Sequence, residues 1–434
     1  MIHLLLAAAL QTNAPLPSEA PPRRLTLRAA LDRAFQLSPF ALRAQDEVDA
    51  AVAQRDATIS LVLPRVNITG SLIRNSEEVK FGSATDTRTI LPRVDWSTRI
   101  TLQQPVYAGR REFRLYNQSK EGITLARQIK DGTRDRIALR VIGDYASAVQ
   151  GQALVNVEQQ SAALAEKRIA QAQALFDAGE VTRVDVLRAT TAHKAALRRV
   201  AGAEAEAVQA RSRLRITLAI DGGDEALGAL EDAADLGIPV ATREMLEARA
   251  LTRPDMKQAE TILRIADLEI LKQKGANLPV VTADLGYLKQ KSSFPSDGYG
   301  YAALRFTIPV FQGGEVGAKT RFAALRRHEA EVSLAETRRQ ATEEVRQSLA
   351  VLETTRRSRM LADDQLKAAE AEYAQARDLY DQREVTALDL EAAESALSEA
   401  RRALIQSRFA VLQAEATAWL AAGSLADAAV ENFK

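Results

Sequence analysis

Residues that could carry out chemistry are few in this sequence. Its 434 residues include three histidines, His3, His193 and His328, and no cysteine. A metal site needs several ligands close together, and an activated nucleophile needs a base beside it. Gly-rich phosphate-binding motifs do not occur in the sequence either. The residue types therefore predict a protein that is not an enzyme and that uses no metal and no cofactor.

Two short turns carry the most specific polar pattern. The segments GEVTRVDVL, with Thr182 and Asp185, and REVTALDLE, with Thr386 and Asp389, both match a capping box. In this motif the threonine hydroxyl caps a new helix, and the carboxylate three residues later reaches back to the cap. Each turn is therefore predicted to lie between two helices, and those helices must position it.

Charge and hydropathy exclude several classes of protein. Lys plus Arg total 58 and Asp plus Glu total 57, so no excess of positive charge is available to bind nucleic acid. The one strongly apolar run, from Ile2 to Leu10, is too short to span a bilayer and lies where a secretory signal belongs. Residues 1–24 are predicted to be a signal peptide and a Pro-rich leader. Elsewhere no apolar run reaches the length of a membrane helix, so any membrane crossing must use strands.

The sequence contains an internal repeat that occurs twice. Two pairs of matching prolines are 215 residues apart, and two later matches are 204 residues apart. These pairs are Pro39 with Pro254, Pro64 with Pro279, Pro105 with Pro309, and Val181 with Val385. The offset changes within two polar segments, 75–92 and 289–298. An insertion confined to a loop is what a repeated fold tolerates.

Each repeat is predicted to have two short helices, two strands and one long helix, so the fold is mainly α. Repeat 1 spans 25–220, an equatorial linker 221–241, repeat 2 242–422 and a C-terminal tail 423–434. Repeat 1 has helix 27–62, strands 65–74 and 93–104, long helix 109–178 and helix 183–218; repeat 2 has helix 243–275, strands 280–289 and 299–308, long helix 314–382 and helix 387–422. The first long helix would measure about 105 Å at 1.5 Å per residue, which is far beyond an ordinary globular helix.

The strand segments alternate apolar and polar residues, as strands with two different faces do. One face is predicted to contact lipid through Val66, Ile68, Trp96, Ile100, Leu285, Leu304 and Phe306. Aromatic residues concentrate in these segments, as they do in the girdles of transmembrane barrels. The strands alone are equally consistent with a small soluble sheet packed on the helices.

Four strands in one chain cannot close a barrel by themselves. Open strand edges leave backbone groups that lipid cannot satisfy, and about eight strands are needed for closure. A membrane barrel would therefore be shared between several chains. Two copies would give eight strands and three copies would give twelve, and the strand pattern does not choose between them.

Taken in order and in duplicate, these features resemble the TolC family of outer-membrane efflux and secretion channels. The resemblance covers nearly all of the chain after Leu25. It rests on the two repeats, the Leu63-Pro64 and Leu278-Pro279 steps, the PVY and PVF segments before the long helices, and the two capped turns. It implies a TolC-like homotrimer with a 12-stranded transmembrane β-barrel in the outer membrane and an α-helical barrel in the periplasm.

The resemblance also implies a function and partners. The protein would be a passive exit duct of a tripartite efflux pump or of a type I secretion system. A periplasmic adaptor would dock at the helical tips, with an inner-membrane pump or ABC transporter behind it. The docking residues would be Gly179, Val181, Thr182, Asp185, Arg383, Val385, Thr386 and Asp389. Helix capping alone explains the capping-box residues Thr182, Asp185, Thr386 and Asp389 equally well.

Acidic residues at the entrance are a second expectation from the resemblance. The family often gates its tip with acids near the end of the second long helix, where this sequence has Ala374 and Arg377. Asp177, Asp378 and Asp381 are the remaining candidates for entrance acids, and solvated surface charge is the simpler explanation for them.

Two other functions stay open at the level of sequence. A soluble coiled-coil scaffold would explain the helices and leave the paired strands unexplained. A periplasmic adaptor subunit also has a long helical hairpin, although it would have one hairpin rather than two tandem copies.

Overall fold

The computed structural model describes residues 24–83, 86–231, 242–291 and 297–432. Residues 1–23, which hold the predicted signal peptide and most of the leader, lie outside the described residues. So do linker residues 232–241, the aromatic residue Phe294, and 433–434 of the predicted tail.

The described elements occur in the same order in the two halves of the chain, apart from the β3–β4 hairpin in the first half and α9 in the second. The first half has β1 (Arg24–Leu25), α1 (Leu27–Leu37), α2 (Pro39–Ile59), β2 (Arg65–Arg74), β3 (Val79–Ser83), β4 (Asp86–Leu91), β5 (Val94–Ala108), α3 (Arg111–Asp177) and α4 (Arg183–Thr217). The second half has β6 (Ala229–Leu230), α5 (Arg243–Ala250), α6 (Pro254–Lys274), β7 (Val280–Gln290), β8 (Gly298–Thr307), α7 (Glu315–Asp381), α8 (Ala387–Ala421) and α9 (Leu425–Asn432).

Three pairs of corresponding helices in the two halves have equal lengths. α3 and α7 each contain 67 residues, which is about 100 Å at 1.5 Å per residue. α4 and α8 each contain 35 residues, and α2 and α6 each contain 21. α2 and α4 pack against different parts of α3, as α6 and α8 pack against α7. Each long helix thus has two shorter helices stacked along it.

Two helices predicted to be continuous are each divided in the structure. The segment 27–62 forms α1 and α2, because Pro39 has no N–H to continue the first helix. Ser38 is extended there, and its hydroxyl accepts from the backbone N–H of Ala41 at 3.2 Å, which starts α2. The segment 243–275 is divided in the same way before Pro254, the first residue of α6. At both breaks, two separate helices, α1 with α2 and α5 with α6, replace the one that the sequence predicted.

The long strands form one four-stranded antiparallel sheet in the order β2-β5-β7-β8. Its two edge strands, β2 and β8, have no further partner among the described residues. β5 runs four residues beyond the predicted end at 104, and a separate hairpin, β3 with β4, lies within the segment predicted to be a loop. The hairpin accounts for the longer connection in the first repeat.

The main hydrophobic core lies halfway along α3, where α1, α5, α8 and α9 meet it. Tyr145 is 1 % exposed, and its hydroxyl donates to the carbonyl of Leu25 at 2.8 Å. Asp135 is also buried, and it accepts from the backbone N–H of Ala426 at 2.8 Å, at the start of α9. The predicted tail therefore contains a helix that is part of the core. Among the described residues, no helix is both long enough and apolar enough to cross a membrane.

A close approach between two glycines joins the sheet to the helices. Gly109, between β5 and α3, has φ +64°, and a Cβ added there would collide with the carbonyl of Gly275. A Cβ added at Gly275 would lie 2.6 Å from the carbonyl oxygen of Gly109. Neither position has room for a side chain.

Gly109→Ala should therefore destabilise the protein by more than the roughly 1–2 kcal/mol cost of the left-handed conformation alone. Gly179→Ala is the matched control, since Gly179 has φ +76° and open space around it. Thermal unfolding of the two variants measures the difference. Equal losses of stability in the two variants would show that the backbone around Gly109 can move to make room for the added methyl group.

Candidate functional site: the strand faces and the helical tips

The sheet brings all the predicted lipid-facing residues to one face. Directly paired residues of antiparallel strands point to the same side. Ile68 pairs with Ile100, which pairs with Tyr287, and the neighbouring row joins Val66, Leu102, Leu285 and Ala302. Further rows pair Leu72 with Trp96, Ala283 with Leu304, and Val281 with Phe306. The exposed fractions of the seven predicted residues run from 37 % at Trp96 to 71 % at Phe306.

Aromatic residues bound this apolar face at both ends. Tyr107, Val281 and Phe306 form the row next to the long helices, and Trp96 lies near the opposite end. Trp96 and Tyr107 are 11 residues apart on β5, and a β-bulge between Pro105 and Tyr107 brings both to the same face. Ten regular steps separate them, which is about 34 Å at 3.4 Å per residue. A strand tilted by about 40° spans about 26 Å of that along the barrel axis, close to the ~25 Å apolar band of outer-membrane barrels.

The opposite face of the sheet is polar. The hydroxyls of Ser71 and Ser97 are hydrogen-bonded at 2.8 Å across β2 and β5. A guanidinium nitrogen of Arg305 lies 3.3 Å from the Asp284 carboxylate. The sheet therefore has the two unlike faces that the alternation in the sequence predicts.

At the far end of the long helices, two similar turns reverse the chain. Gly179 and Arg383 occupy equivalent positions and are both left-handed, with φ of 76° and 63°. The backbone N–H of Glu180 donates to Leu175 at 2.9 Å, and that of Glu384 donates to Leu379 at 2.8 Å. This is the hydrogen-bond pattern that ends many helices at a left-handed residue.

Both turns contain the predicted capping box. The backbone N–H of Thr182 donates to the Asp185 carboxylate at 3.0 Å, and that of Thr386 donates to Asp389 at 2.9 Å. The threonine hydroxyls donate to the same carboxylates at 2.8 and 2.6 Å. These hydrogen bonds, first of all those from the threonine side chains, lower the pKa of Asp185 and of Asp389. Capping is thus one role that these residues have.

We expect the tips to loosen at acid pH. Because both carboxylates have a lowered pKa, they stabilise the folded turns fully above the unfolded pKa of about 3.9, and this contribution is lost as the pH falls through the lower folded values. Hydrogen exchange of the tip amides, corrected for intrinsic rates, should therefore increase as the pH falls below about 4. Asp185→Asn with Asp389→Asn should remove this change, and Asp381→Asn should keep it. An unchanged pH response in the double variant would contradict the assignment.

The two turns lie next to each other in space. A guanidinium nitrogen of Arg383 lies 2.8 Å from the Glu180 carboxylate and joins the two tips. Val181 and Val385, which the sequence suggested as docking residues, are half-buried. Val184 and Leu388, equivalent residues in the first turns of α4 and α8, are 52 % and 68 % exposed. The exposed apolar surface of the tips therefore includes these two residues, which the sequence did not single out.

The candidate entrance acids lie at the ends of the long helices. Asp177 and Asp381 are the last residues of α3 and α7, and Asp378 lies one turn earlier in α7. All three are exposed. Asp177 accepts a hydrogen bond from the Gln173 amide at 2.8 Å. Their role in gating stays a prediction. Among the described residues, no cluster of three or more His, Asp or Glu could hold a metal ion.

Comparison with known proteins identifies the family. The model of the outer membrane efflux protein family matches residues 28–219 and 246–424. The chain belongs to the outer membrane efflux protein family. The two matched segments coincide closely with the two structural repeats. Comparison with curated protein sequences gives no significant match.

Solved outer-membrane channels share the fold of this efflux-family chain. The outer membrane protein VceC of Vibrio cholerae aligns with TM-score 0.75 and 16 % identity over 92 % of this chain and 96 % of its own. CmeC of Campylobacter jejuni gives 0.75 and 18 %, over 92 % and 85 %. The open state of MtrE of Neisseria gonorrhoeae gives 0.72 and 18 %, over 92 % and 88 %. The TolC-like fold predicted from the sequence is confirmed.

Family membership also decides between the functions that the sequence left open. A soluble coiled-coil scaffold and a periplasmic adaptor subunit are set aside, because the match to the efflux family spans both repeats. The sheet with two open edges is the form expected of one chain in a family whose barrel closes only in a trimer.

Proposed function

We propose that three copies of this chain form an outer-membrane exit duct for efflux. The strands of the trimer would make a 12-stranded barrel in the outer membrane, and the helices would extend through the periplasm. The four-stranded sheet carries this proposal, because it combines two open edges with one continuous apolar face. Pairing β8 of one copy with β2 of the next would satisfy both edges, which lipid cannot do.

The helical tips are the proposed docking surface for a periplasmic adaptor. They lie about 100 Å from the sheet, the length of α3, so they would be the part of the trimer that reaches deepest into the periplasm. Exposed Val184 and Leu388 offer apolar contacts beside the charged pair of Glu180 and Arg383. An inner-membrane pump or ABC transporter would supply the energy, and the duct itself would be a passive conduit. An efflux pump is favoured by the family, and type I secretion would use the same tips.

Mass measurement in mild detergent, together with membrane fractionation, tests the proposal. We expect a trimer in the outer-membrane fraction that dissociates on heating. A stable, fully folded monomer in the soluble fraction would overturn the barrel. Adaptor docking has a separate test, described in the Discussion.

A further inference from the structure

Arg99 lies in the middle of the polar face of the sheet. It pairs with Thr69 on β2 and with Leu288 on β7, one residue away from the apolar row that contains Ile100. Its side chain is exposed and forms no ion pair within the described part of the chain. In a closed barrel this face lines the lumen, because the opposite face is the apolar one.

Positive charge predominates on the polar strand face. The strand register places three arginines there, Arg65, Arg99 and Arg305, against two aspartates, Asp95 and Asp284. Arg305 is already paired with Asp284. Arg99 is separated from Asp95 by four residues of β5, and from Asp284 by four residues and one strand. By strand geometry both carboxylates lie about 14 Å away, and Asp297, in the turn before β8, lies about 12 Å away.

A trimer would concentrate this charge in a narrow passage. Twelve strands spaced about 4.8 Å apart and tilted by about 40° enclose a barrel about 24 Å across, measured between backbones. The long arginine side chains reduce the free width further. Three guanidinium groups would therefore lie within roughly one Debye length, about 8 Å, of much of the lumen. The β8 strand that closes the barrel brings no carboxylate to this face, since its inward positions are Tyr299, Tyr301, Ala303, Arg305 and Thr307.

We infer that Arg99 from three copies forms an anion-selective ring, so that small anions and anionic solutes pass the barrel in preference to cations. Rings of charged side chains select ions of opposite charge, and the low-dielectric wall of a membrane pore strengthens their field. The inference rests on the proposed trimeric channel and adds a substrate class to it. It concerns the strand barrel alone, since the candidate entrance acids lie at the other end of the helices.

The absence of cysteine from the sequence allows a direct test. Purified Arg99→Cys protein in planar bilayers, under a KCl gradient, gives the chloride-to-potassium permeability ratio from the reversal potential. We expect this ratio to be at least about fourfold below that of the unsubstituted channel, from the screened Coulomb energy of three charges near the pore axis. A methanethiosulfonate carrying an ethylammonium group should restore the ratio, and one carrying an ethylsulfonate group should lower it further.

Arg74→Cys is the matched control, since Arg74 pairs with Val94 on the apolar side of the same sheet. Neither reagent should change the ratio in this variant. A conducting Arg99→Cys channel with an unchanged ratio, before and after both reagents, would overturn the ring and leave the channel intact. If the unsubstituted protein forms no trimer and conducts no ions, both the proposed function and the arginine ring are overturned.

Discussion

Ile100→Arg should prevent assembly of the outer-membrane trimer. Ile100 lies between Trp96 and Tyr107, near the middle of the apolar face, and it is 45 % exposed in a single chain. An arginine facing lipid near the bilayer midplane costs about 2–4 kcal/mol. Three copies bear this cost in one trimer, so the loss of assembled protein should be nearly complete. Leu304→Arg, closer to the aromatic row at Phe306, should have a smaller effect of the same sign.

Thr101→Arg is the matched control for this prediction. Thr101 follows Ile100 on the same strand and pairs with Asn67 and Gly286 on the polar face. The new arginine would face the aqueous lumen, so the trimer should form normally. The heat-modifiable oligomer in outer-membrane fractions measures both variants. Equal assembly of the two would mean that the apolar face does not contact lipid.

Glutamate at both exposed tip positions, Val184→Glu with Leu388→Glu, should abolish export without disturbing the trimer. Both side chains are exposed and take no part in the capping hydrogen bonds between Thr and Asp, so the turns keep those hydrogen bonds. Burying an unpaired polar group in an interface costs about 1–3 kcal/mol, and a charge costs more. Two such groups should weaken adaptor binding by at least about 100-fold. Accumulation of a dye whose efflux depends on this channel measures the loss.

A second double variant separates docking from charge at the tip. Ala178→Glu with Gln382→Glu adds the same charge to the same turns, at exposed positions that carry no apolar side chain of the docking surface. Export should continue in this variant. If both double variants export normally, the tips are capped turns and the adaptor binds elsewhere.

The sequence predicted the strand faces because their alternation is local. Val66, Ile68 and Ile100 alternate with polar neighbours along their strands. The observed strand register pairs apolar residues with apolar residues, so the apolar positions of neighbouring strands form one face. The β3–β4 hairpin was missed because it lies inside a polar, turn-rich segment whose apolar residues, such as Phe81, remain exposed. Neither face of this hairpin is buried among its described side chains, so its sequence lacks the sustained apolar alternation from which two strands could be predicted.

Tertiary packing explains the remaining differences. Ser38-Pro39 was visible in the sequence, yet the packing of α1 in the main core and the extended conformation of Ser38 are seen only in the structure. At the tips, Val181 and Val184 are three residues apart and of one type. The first is half-buried and the second exposed. That difference depends on how two turns lie side by side, which no single segment of sequence contains.

The equal lengths of the paired helices imply a strict rule for how this chain can change. Each residue of an α-helix turns it by about 100°, so deleting one residue from α3 would rotate everything beyond it away from α2 or α4. A substitution does not change which face of the helix each later residue occupies. We therefore expect a deletion scan to find α3, α7, α4 and α8 almost intolerant of length changes, whereas the connection holding β3 and β4, already longer than its counterpart, should accept them. In this architecture, the paired helices can accept substitutions while their lengths stay constant.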